Sequence, residues 1–431
     1  MRSMNTTFSA ETADDLTPFS LLLDIRDPAL YAEGHLPGAL CVDRETLLET
    51  DAASFPGLIR QAAARSSDAE KTSFSDTKKA VISDVEKTSF SKTKEAVPSG
   101  TALPSAGDQI LVYCTYGILS EEAAEHLQDL GYAAVHLEGG YGKWLAKRIV
   151  RESEEESRRE EAESSLRKRF KKEITGNFVK AVTRYELLQP GDHVAVCISG
   201  GKDSMLMAKL FQEIKRRNKF PFDVTYLCMD PGYSATTLDM IHANARLLGI
   251  PLTMFESHIF DAVDHIDHSP CYICARMRRG YLYSKAKELG CNKIALGHHY
   301  DDVIETTLMS ILYSGQVQTM MPKLHSTNFE GMELIRPMYL IREDSIKKWR
   351  DANGLQFIRC ACHFTDTCSL EGKGDSNSKR LEAKHLIADL KKNNPNIEGN
   401  LFQSMQNIHL DAVLGYKKDN VRHSFLDEYE P

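Results

Sequence analysis

Nowhere in the 431 residues is there an apolar run long enough to cross a bilayer. The opening stretch MRSMNTTFSAETADDL lacks a basic segment followed by an apolar core, so no secretory signal is expected and a cytoplasmic protein is. An excess of positive charge is also missing, since the formal net charge is −8. That argues against a uniformly basic nucleic-acid binder but not against a local one, because binding is set by patches. Two such patches occur, LRKRFKK (Leu166 to Lys172) and RMRRG (Arg276 to Gly280), and taken alone each reads as a solvated helix face. A disulfide framework is not expected either. Ten cysteines in an intracellular chain of this size point instead to metal, cluster or sulfur chemistry.

What is present suits two domains. Residues 1–148 read as a small α/β unit: SLLLDI and QILVYCTYG are apolar strands, SEEAAEHLQDLG a helix and AAVHL a further strand. Between the first two strands, DAEKTSFSDTKKAV recurs almost verbatim as DVEKTSFSKTKEAV. Two polar copies are too few for a solenoid. An insertion over about 50–105 is therefore expected to be a flexible surface segment without chemistry. The charged stretch 149–172 reads as a linker helix, with opposite charges at helical spacing. From 173 to 431 strands (HVAVCIS, DVTYLCM, LTMFE, KIALG) alternate with helical stretches, which predicts a doubly wound, mainly parallel sheet. Ligands of such sheets gather at the carboxyl ends of the strands.

The run AVCISGGKDSMLMAKL reads as strand, Gly-Gly turn, helix. Glycines allow close approach of backbone to an anion, and the first N–H groups of a helix point at it. Lys202 adds charge, and Ser199 and Ser204 add hydroxyls. The first glycine of a Walker A loop is absent, so this is not the usual γ-phosphate cradle. Asp203 reads as a Mg²⁺ or loop-placing residue, or as a helix cap. Cysteines fall in two clusters, Cys271 and Cys274 in SPCYICARMRRG, and Cys360, Cys362 and Cys368 in FIRCACHFTDTC. Such sets serve zinc, a redox pair or an iron–sulfur cluster. In LGHHYDDVIET, His298, Asp301, Asp302 and Glu305 follow the strand KIALG, either as Mg²⁺ or proton-handling groups or as acids at a helix N-terminus. Asp230 ends the strand VTYLCMD, where it could face a nucleotide.

SGGKDS matches the S-G-G-x-D-S signature of the PP-loop, or N-type ATP pyrophosphatase, superfamily. From about Leu166 to the C-terminus the chain resembles its tRNA 2-thiocytidine synthetases, through GDHVAVCISGGKDS, CYICARMRRGYLYSKAKELGCNKIALGHHYDDVIET, MPKL, IRPMYLIRE and FQSMQNI. The resemblance implies ATP and Mg²⁺, with Ser199, Gly200, Gly201, Lys202, Asp203, Ser204, Asp230 and His298 at the nucleotide and Asp301 and Asp302 catalytic. ATP would adenylate O2 of an anticodon-loop cytidine, leaving AMP and pyrophosphate as products. It further implies a [4Fe–4S] cluster on Cys271, Cys274 and a third ligand, Cys360 or alternatively Cys362, because C-x-C stands where the family usually has C-x-x-C. With tRNA as substrate, Arg276, Arg278 and Arg279 become candidate phosphate grips. The alternatives are thiolation of a uridine, lysine attachment as in tRNA lysidine synthetases, or a zinc-bearing, ATP-binding sulfur or redox sensor.

LLLDIRDPALYAEGHLPGAL, YCTYGILS and LEGGYGKWL resemble a rhodanese domain from Leu21 to about Leu145. Its functional residue would be Cys114, in a loop whose N–H groups stabilise a thiolate or persulfide. The usual arginine five residues later is Leu119, and the phosphatase position is Ser120. The resemblance thus implies a persulfide relay fed by a cysteine desulfurase or another persulfide donor. A domain kept only for docking is the alternative. A homodimer is among the assemblies the sequence allows.

Overall fold

The computed structural model of the protein describes residues 7–10, 16, 18–72, 108–217, 219–257, 259, 270–358 and 379–429. The chain forms two compact units, Met1–Glu155 and Glu156–Pro431. Among the described residues no helix is long and apolar enough to cross a membrane.

The first unit is built on strands β1 (Thr7–Ser9), β2 (Phe19–Asp24), β3 (Leu40–Cys41), β4 (Gln109–Tyr113) and β5 (Ala133–Glu138), in the order β1-β5-β4-β2-β3 and all parallel. Helices α1 (Pro28–Glu33), α2 (Arg44–Glu49), α3 (Phe55–Thr72), α4 (Leu119–Asp129) and α5 (Gly140–Arg167) complete it. Alternation along the strands feeds two cores: Leu23, Ile110 and Val112 face one, Leu22, Leu111 and Tyr113 the other. A parallel sheet must be covered on both faces, and this one is.

Two boundary expectations need correction. The segment 50–105 does not begin as a flexible insertion, because α3 seats Phe55, Ile59 and Ala62 in the core. Their spacing places them on one helical face, so this part is anchored by burial. The duplicated sequence lies for the most part outside the described residues. The charged stretch 149–172 is not a helix of its own. It continues α5, which starts at Gly140, and a short π-helix follows at Lys171–Thr175. The unit boundary falls inside α5. Its last turns belong to the second unit's core through Ala162 and Leu166.

In the second unit, β6 (His193–Ile198), β7 (Asp223–Asp230), β8 (Leu252–Glu256), β9 (Lys293–Ala295), β10 (Lys323–His325) and β11 (Glu333–Ile335) form one sheet, ordered β10-β11-β9-β6-β7-β8. All neighbours are parallel except β10 and β11. Its helices are α6 (Gly176–Arg184), α7 (Lys202–Arg217), α8 (Ala235–Leu247), α9 (Pro270–Glu288), α10 (Tyr300–Ser314), α11 (Glu343–Ala352), α12 (Lys379–Asn393) and α13 (Ile397–Ser404). Val194, Val196 and Ile198 of β6 point into one core, Ala195 and Cys197 into another. The chain runs outward from β6 to β7 and β8, then crosses back to β9 on the other side of β6. The carboxyl ends of β6 and β9 therefore flank a topological switch point, where such sheets bind ligands. A hairpin of β12 (Gly415–Lys418) and β13 (Val421–Ser424) follows, and a short 3-10 helix at Phe425–Glu428 comes after it.

Candidate nucleotide and sulfur sites

The Gly-Gly turn leaves β6 at the switch point and enters α7. Gly200 has φ +80°, and a Cβ there would stand 2.6 Å from Ile241 Cγ1 and 2.7 Å from Ile358 Cδ1. Only glycine fits both constraints. Ser204 holds the turn closed. Its hydroxyl donates to the Gly201 carbonyl at 3.0 Å and accepts from the Ser199 N–H at 3.1 Å and the Ser199 hydroxyl at 3.2 Å. Ser204 is buried and Ser199 exposed, so Ser204 shapes the loop while Ser199 is open to a ligand. The turn after β9 packs on this one, since a Cβ on Gly297 would lie 3.3 Å from the Ser204 nitrogen. The result is a backbone cradle between two strand ends, at a helix N-terminus, whose dipole and N–H groups favour a phosphate.

Lys202 lies 3.0 Å from Asp203 Oδ2 and 3.3 Å from Glu343 Oε1. Glu343 also meets Lys347 at 3.0 Å and Lys384 at 2.7 Å. Burial would raise its pKa, but hydrogen bonds from Lys384 and Lys347 and the charge of Lys202 hold it far below the usual carboxylate range. The Asp203 Oδ1 is buried without a hydrogen-bond partner, 4.0 Å from His299 Nε2. Such an orphaned carboxylate oxygen beside a phosphate cradle suits a cation.

The acids after β9 are engaged. Asp301 accepts from Arg342 Nη2 at 2.9 Å and from the Glu343 N–H at 2.7 Å, and Arg342 in turn pairs with Glu398 at 2.6 Å. Asp302 accepts from the His299 N–H at 2.9 Å and from Arg380 at 2.7 Å, completing a capping box at the start of α10. Burial would raise its pKa, but His299, His298 and Arg380 carry it below its ordinary value. Glu305 is pushed up by burial. His298 is lowered to about 4, first by burial and then by Arg336, and its Nδ1 is buried without a partner. Asp230 folds back on its own turn, accepting from Gly232 N–H at 2.9 Å and Tyr233 N–H at 2.8 Å.

Arg276 and Arg279 are exposed on α9, whereas Arg278 is half-buried with its charge felt by Tyr233 and Cys228. The three candidate phosphate grips thus differ in exposure. Helical rotation turns Arg278 toward the sheet. Cys271 and Cys274 fall on the first turns of α9, with their side chains outside the described part, and Cys360, Cys362 and Cys368 lie outside the described residues. Among the described residues, no group of His, Cys, Asp and Glu side chains is arranged to hold a metal. Glu343, Arg342, Lys384, Arg380 and His299 were not singled out from the sequence. Only the string LIRE carried a hint of the first two.

In the first unit, Cys114 follows β4 and is almost fully buried, its Sγ accepting from the Gly117 N–H at 3.1 Å. Burial would raise its pKa, but the Ser120 hydroxyl and the N–H groups of Ser120, Tyr116 and Gly117 bring it below the ordinary thiol value. Cys197 and Cys228 are pushed up to about 12 by burial, and Cys41 and Cys291 are raised as well. Among the described thiols, Cys114 alone is shifted below the ordinary thiol value. It opens on a cavity of about 380 Å³ lined also by Arg26, Asp27, Leu30, Tyr116, Ile118 and Leu119. Arg26 is locked on Asp24 at 2.6 Å and nearly buried, so among the described residues the cavity offers no free cation to a small anion.

A rhodanese-like domain model matches residues 9–147 and a PP-loop domain model residues 166–362. The tRNA-cytidine(32) 2-sulfurtransferase of Syntrophotalea carbinolica is 35% identical over 250 residues, covering 56% of this chain and 92% of that protein. That of Coxiella burnetii is 34% identical over 263 residues, covering 60% and 99%. Among solved structures, the U34-tRNA thiolase NcsA from Methanococcus maripaludis with its [4Fe-4S] cluster aligns at a TM-score of 0.45 and 22% identity, over 56% of this chain and 80% of that one.

Proposed function

Because the chain belongs to the tRNA-cytidine(32) 2-sulfurtransferase family, we propose that it replaces O2 of cytidine 32 in tRNA by sulfur at the expense of ATP. The observation that carries the reading is the SGGKDS turn at the β6–β9 switch point, a backbone cradle next to an exposed hydroxyl and a lysine. ATP seats its departing phosphates on the N–H groups that open α7, with Lys202 leaving Glu343 to neutralise them. The cytidine O2 attacks the α-phosphate and pyrophosphate leaves. The adenylated oxygen is then a good leaving group, and AMP departs when sulfur takes its place at C2.

Asp203 holds Mg²⁺ with the phosphates, consistent with its orphaned buried oxygen. His298 is neutral at pH 7 and is available as a hydrogen-bond partner rather than a charge. Asp301 and Asp302 act on the reaction by holding Arg342, Arg380 and the ends of α10 and α11 in place. An iron–sulfur cluster would be held by Cys271 and Cys274, at the start of α9, with Cys360 or Cys362 as third ligand. When bound it supplies the sulfur that enters the base. The remaining described thiols of this unit, Cys197, Cys228 and Cys291, are kept protonated by burial and do not compete for iron. Cys114 relays persulfide sulfur from a donor protein such as a cysteine desulfurase; the Gly117 N–H on its sulfur and its lowered pKa support this. Arg276 and Arg279 contact tRNA phosphates, and the protein works in the cytoplasm.

The test is anaerobic purification, then incubation with unmodified tRNA, ATP, a persulfide source and excess thiol, which supplies the two electrons that release persulfide sulfur at the sulfide level and is itself oxidised to disulfide. Visible iron–sulfur absorbance, lost in Cys271→Ser, and 2-thiocytidine by nucleoside mass spectrometry are expected. 2-Thiouridine alone, or zinc without iron, overturns the proposal.

A further inference from the structure

The β12–β13 hairpin carries charges that work against its own pairing. Asp419 and Asn420 turn it with φ of 51° and 63°, the left-handed pair that a tight two-residue hairpin needs. The register sets Tyr416 against His423, Lys417 against Arg422 and Lys418 against Val421. Side chains alternate across the ribbon, so Lys417 and Arg422 face each other on one side, and Tyr416, Lys418, Val421 and His423 share the other. Like charges directly opposite destabilise a strand pair. A lone two-stranded hairpin is marginal in water even without that cost. Lys417, Lys418 and Arg422 make no ion pair among the described residues, and all three are exposed. Many other cations of this unit, Lys202, Lys384 and Arg342 among them, sit on carboxylates.

The opposite face is aromatic. Tyr416 and His423 stack at 4.6 Å with their planes 13° apart. Phe425 and Leu414 continue beside them, 48% and 82% exposed. Between Gly415 and Ser424 there are three cations against one acid, Asp419, in a chain whose net charge is −8. Exposed rings interleaved with uncompensated cations are the surface that RNA recognition uses, phosphates taking the charge and unpaired bases the rings. A phosphate between Lys417 and Arg422 turns their repulsion into attraction. A second copy of the hairpin would bring the same cations together and make it worse.

We propose that the β12–β13 hairpin is a tRNA-binding element, with Lys417 and Arg422 clamping backbone phosphate and the Tyr416–His423 pair backing it as a stacking platform. This rests on the tRNA reading above and deepens it by naming a substrate contact away from the nucleotide cradle.

The experiment measures binding of the full chain to an unmodified tRNA transcript by fluorescence anisotropy across a salt series. The substitutions Lys417→Gln and Arg422→Gln together are expected to weaken binding about tenfold and to reduce the slope of log K against log salt by roughly 0.8, as loss of one clamped phosphate requires. The KM for tRNA rises while kcat holds. The charge-keeping exchange Lys417→Arg with Arg422→Lys retains binding, and Tyr416→Ala weakens it with the salt slope unchanged. Wild-type affinity and slope in the glutamine variant overturn the proposal. So does a variant whose only change is dissociation of a dimer in sedimentation equilibrium. A wild-type chain that neither binds nor thiolates tRNA would sink the functional reading itself, a distinct outcome.

Discussion

Lys202 Nζ stands 3.3 Å from Glu343 Oε1, so the lysine of the phosphate turn rests on a carboxylate that two further lysines share. Lys347 and Lys384 can hold Glu343 once Lys202 moves to a phosphate. The cradle thus carries its own stand-in for an anion.

Lys202→Ala is expected to lower ATP-dependent turnover about 100-fold or more while the melting temperature changes little, because the loss falls on developing negative charge. Glu343→Gln acts on stability instead. It leaves three ammonium groups around a mostly buried neutral amide, at a cost of about 2 kcal/mol at pH 7. The folded pKa of Glu343 is depressed, so its contribution is present above the unfolded value of about 4.3 and fades as pH falls below it. The gap in melting temperature between wild type and variant should be full at pH 7 and clearly narrower at pH 3.5.

Gly200→Ala tests the cradle itself. The added methyl meets Ile241 and Ile358 while the backbone stays at positive φ. Strain plus overpacking predicts a destabilisation of about 1–3 kcal/mol and loss of ATP turnover. Trimming Ile241 to valine should not restore activity, because the backbone conformation remains unsuited to alanine. Thermal melts and pyrophosphate release check both.

His298 supplies a second pH signature of the same sign, set in a higher pH window by an imidazole rather than a carboxylate. With a folded pKa of about 4, the native state binds fewer protons than the unfolded chain between about pH 6.5 and 4. Stability therefore falls as pH drops through that window, by up to about 3 kcal/mol. His298→Gln removes this dependence. Denaturant melts of both proteins at pH 7 and pH 4.5 should show the wild type losing ground to the variant; parallel losses would contradict the assignment.

Cys114 should be alkylated by iodoacetamide at pH 7 far faster than Cys197 or Cys228, measured by peptide mapping. Ser120→Ala removes a hydroxyl that favours the thiolate and should slow labelling of Cys114 several-fold, with little change at pH 10, where the thiol ionises regardless.

Which parts were legible beforehand follows from the range of the interactions involved. The strands β2, β4, β6 and β7 and the turn at Gly200 announce themselves in consecutive residues, through apolar runs and a glycine pair. Cys114 stood out because its loop is contiguous. β1, β10 and β11 have three residues each and carry no pattern of their own; β9, equally short, was legible only through the longer apolar run KIALG. The hairpin at Gly415–Ser424 is almost wholly polar on one side, and its register is invisible without its turn geometry. Arg278 looked like its neighbours Arg276 and Arg279 and differs only by helical rotation.

The order of the residues alone dictated a glycine turn between a buried strand and a helix, a cysteine after a second such strand, and paired thiols in two remote segments. Those are local facts of backbone freedom, apolar period and side-chain chemistry. Folding decided the rest. It set Glu343 beside Lys202, spent Asp301 and Asp302 on Arg342 and Arg380, neutralised His298 and lowered Cys114, because charge, burial and hydrogen bonding depend on neighbours that only long-range packing brings together.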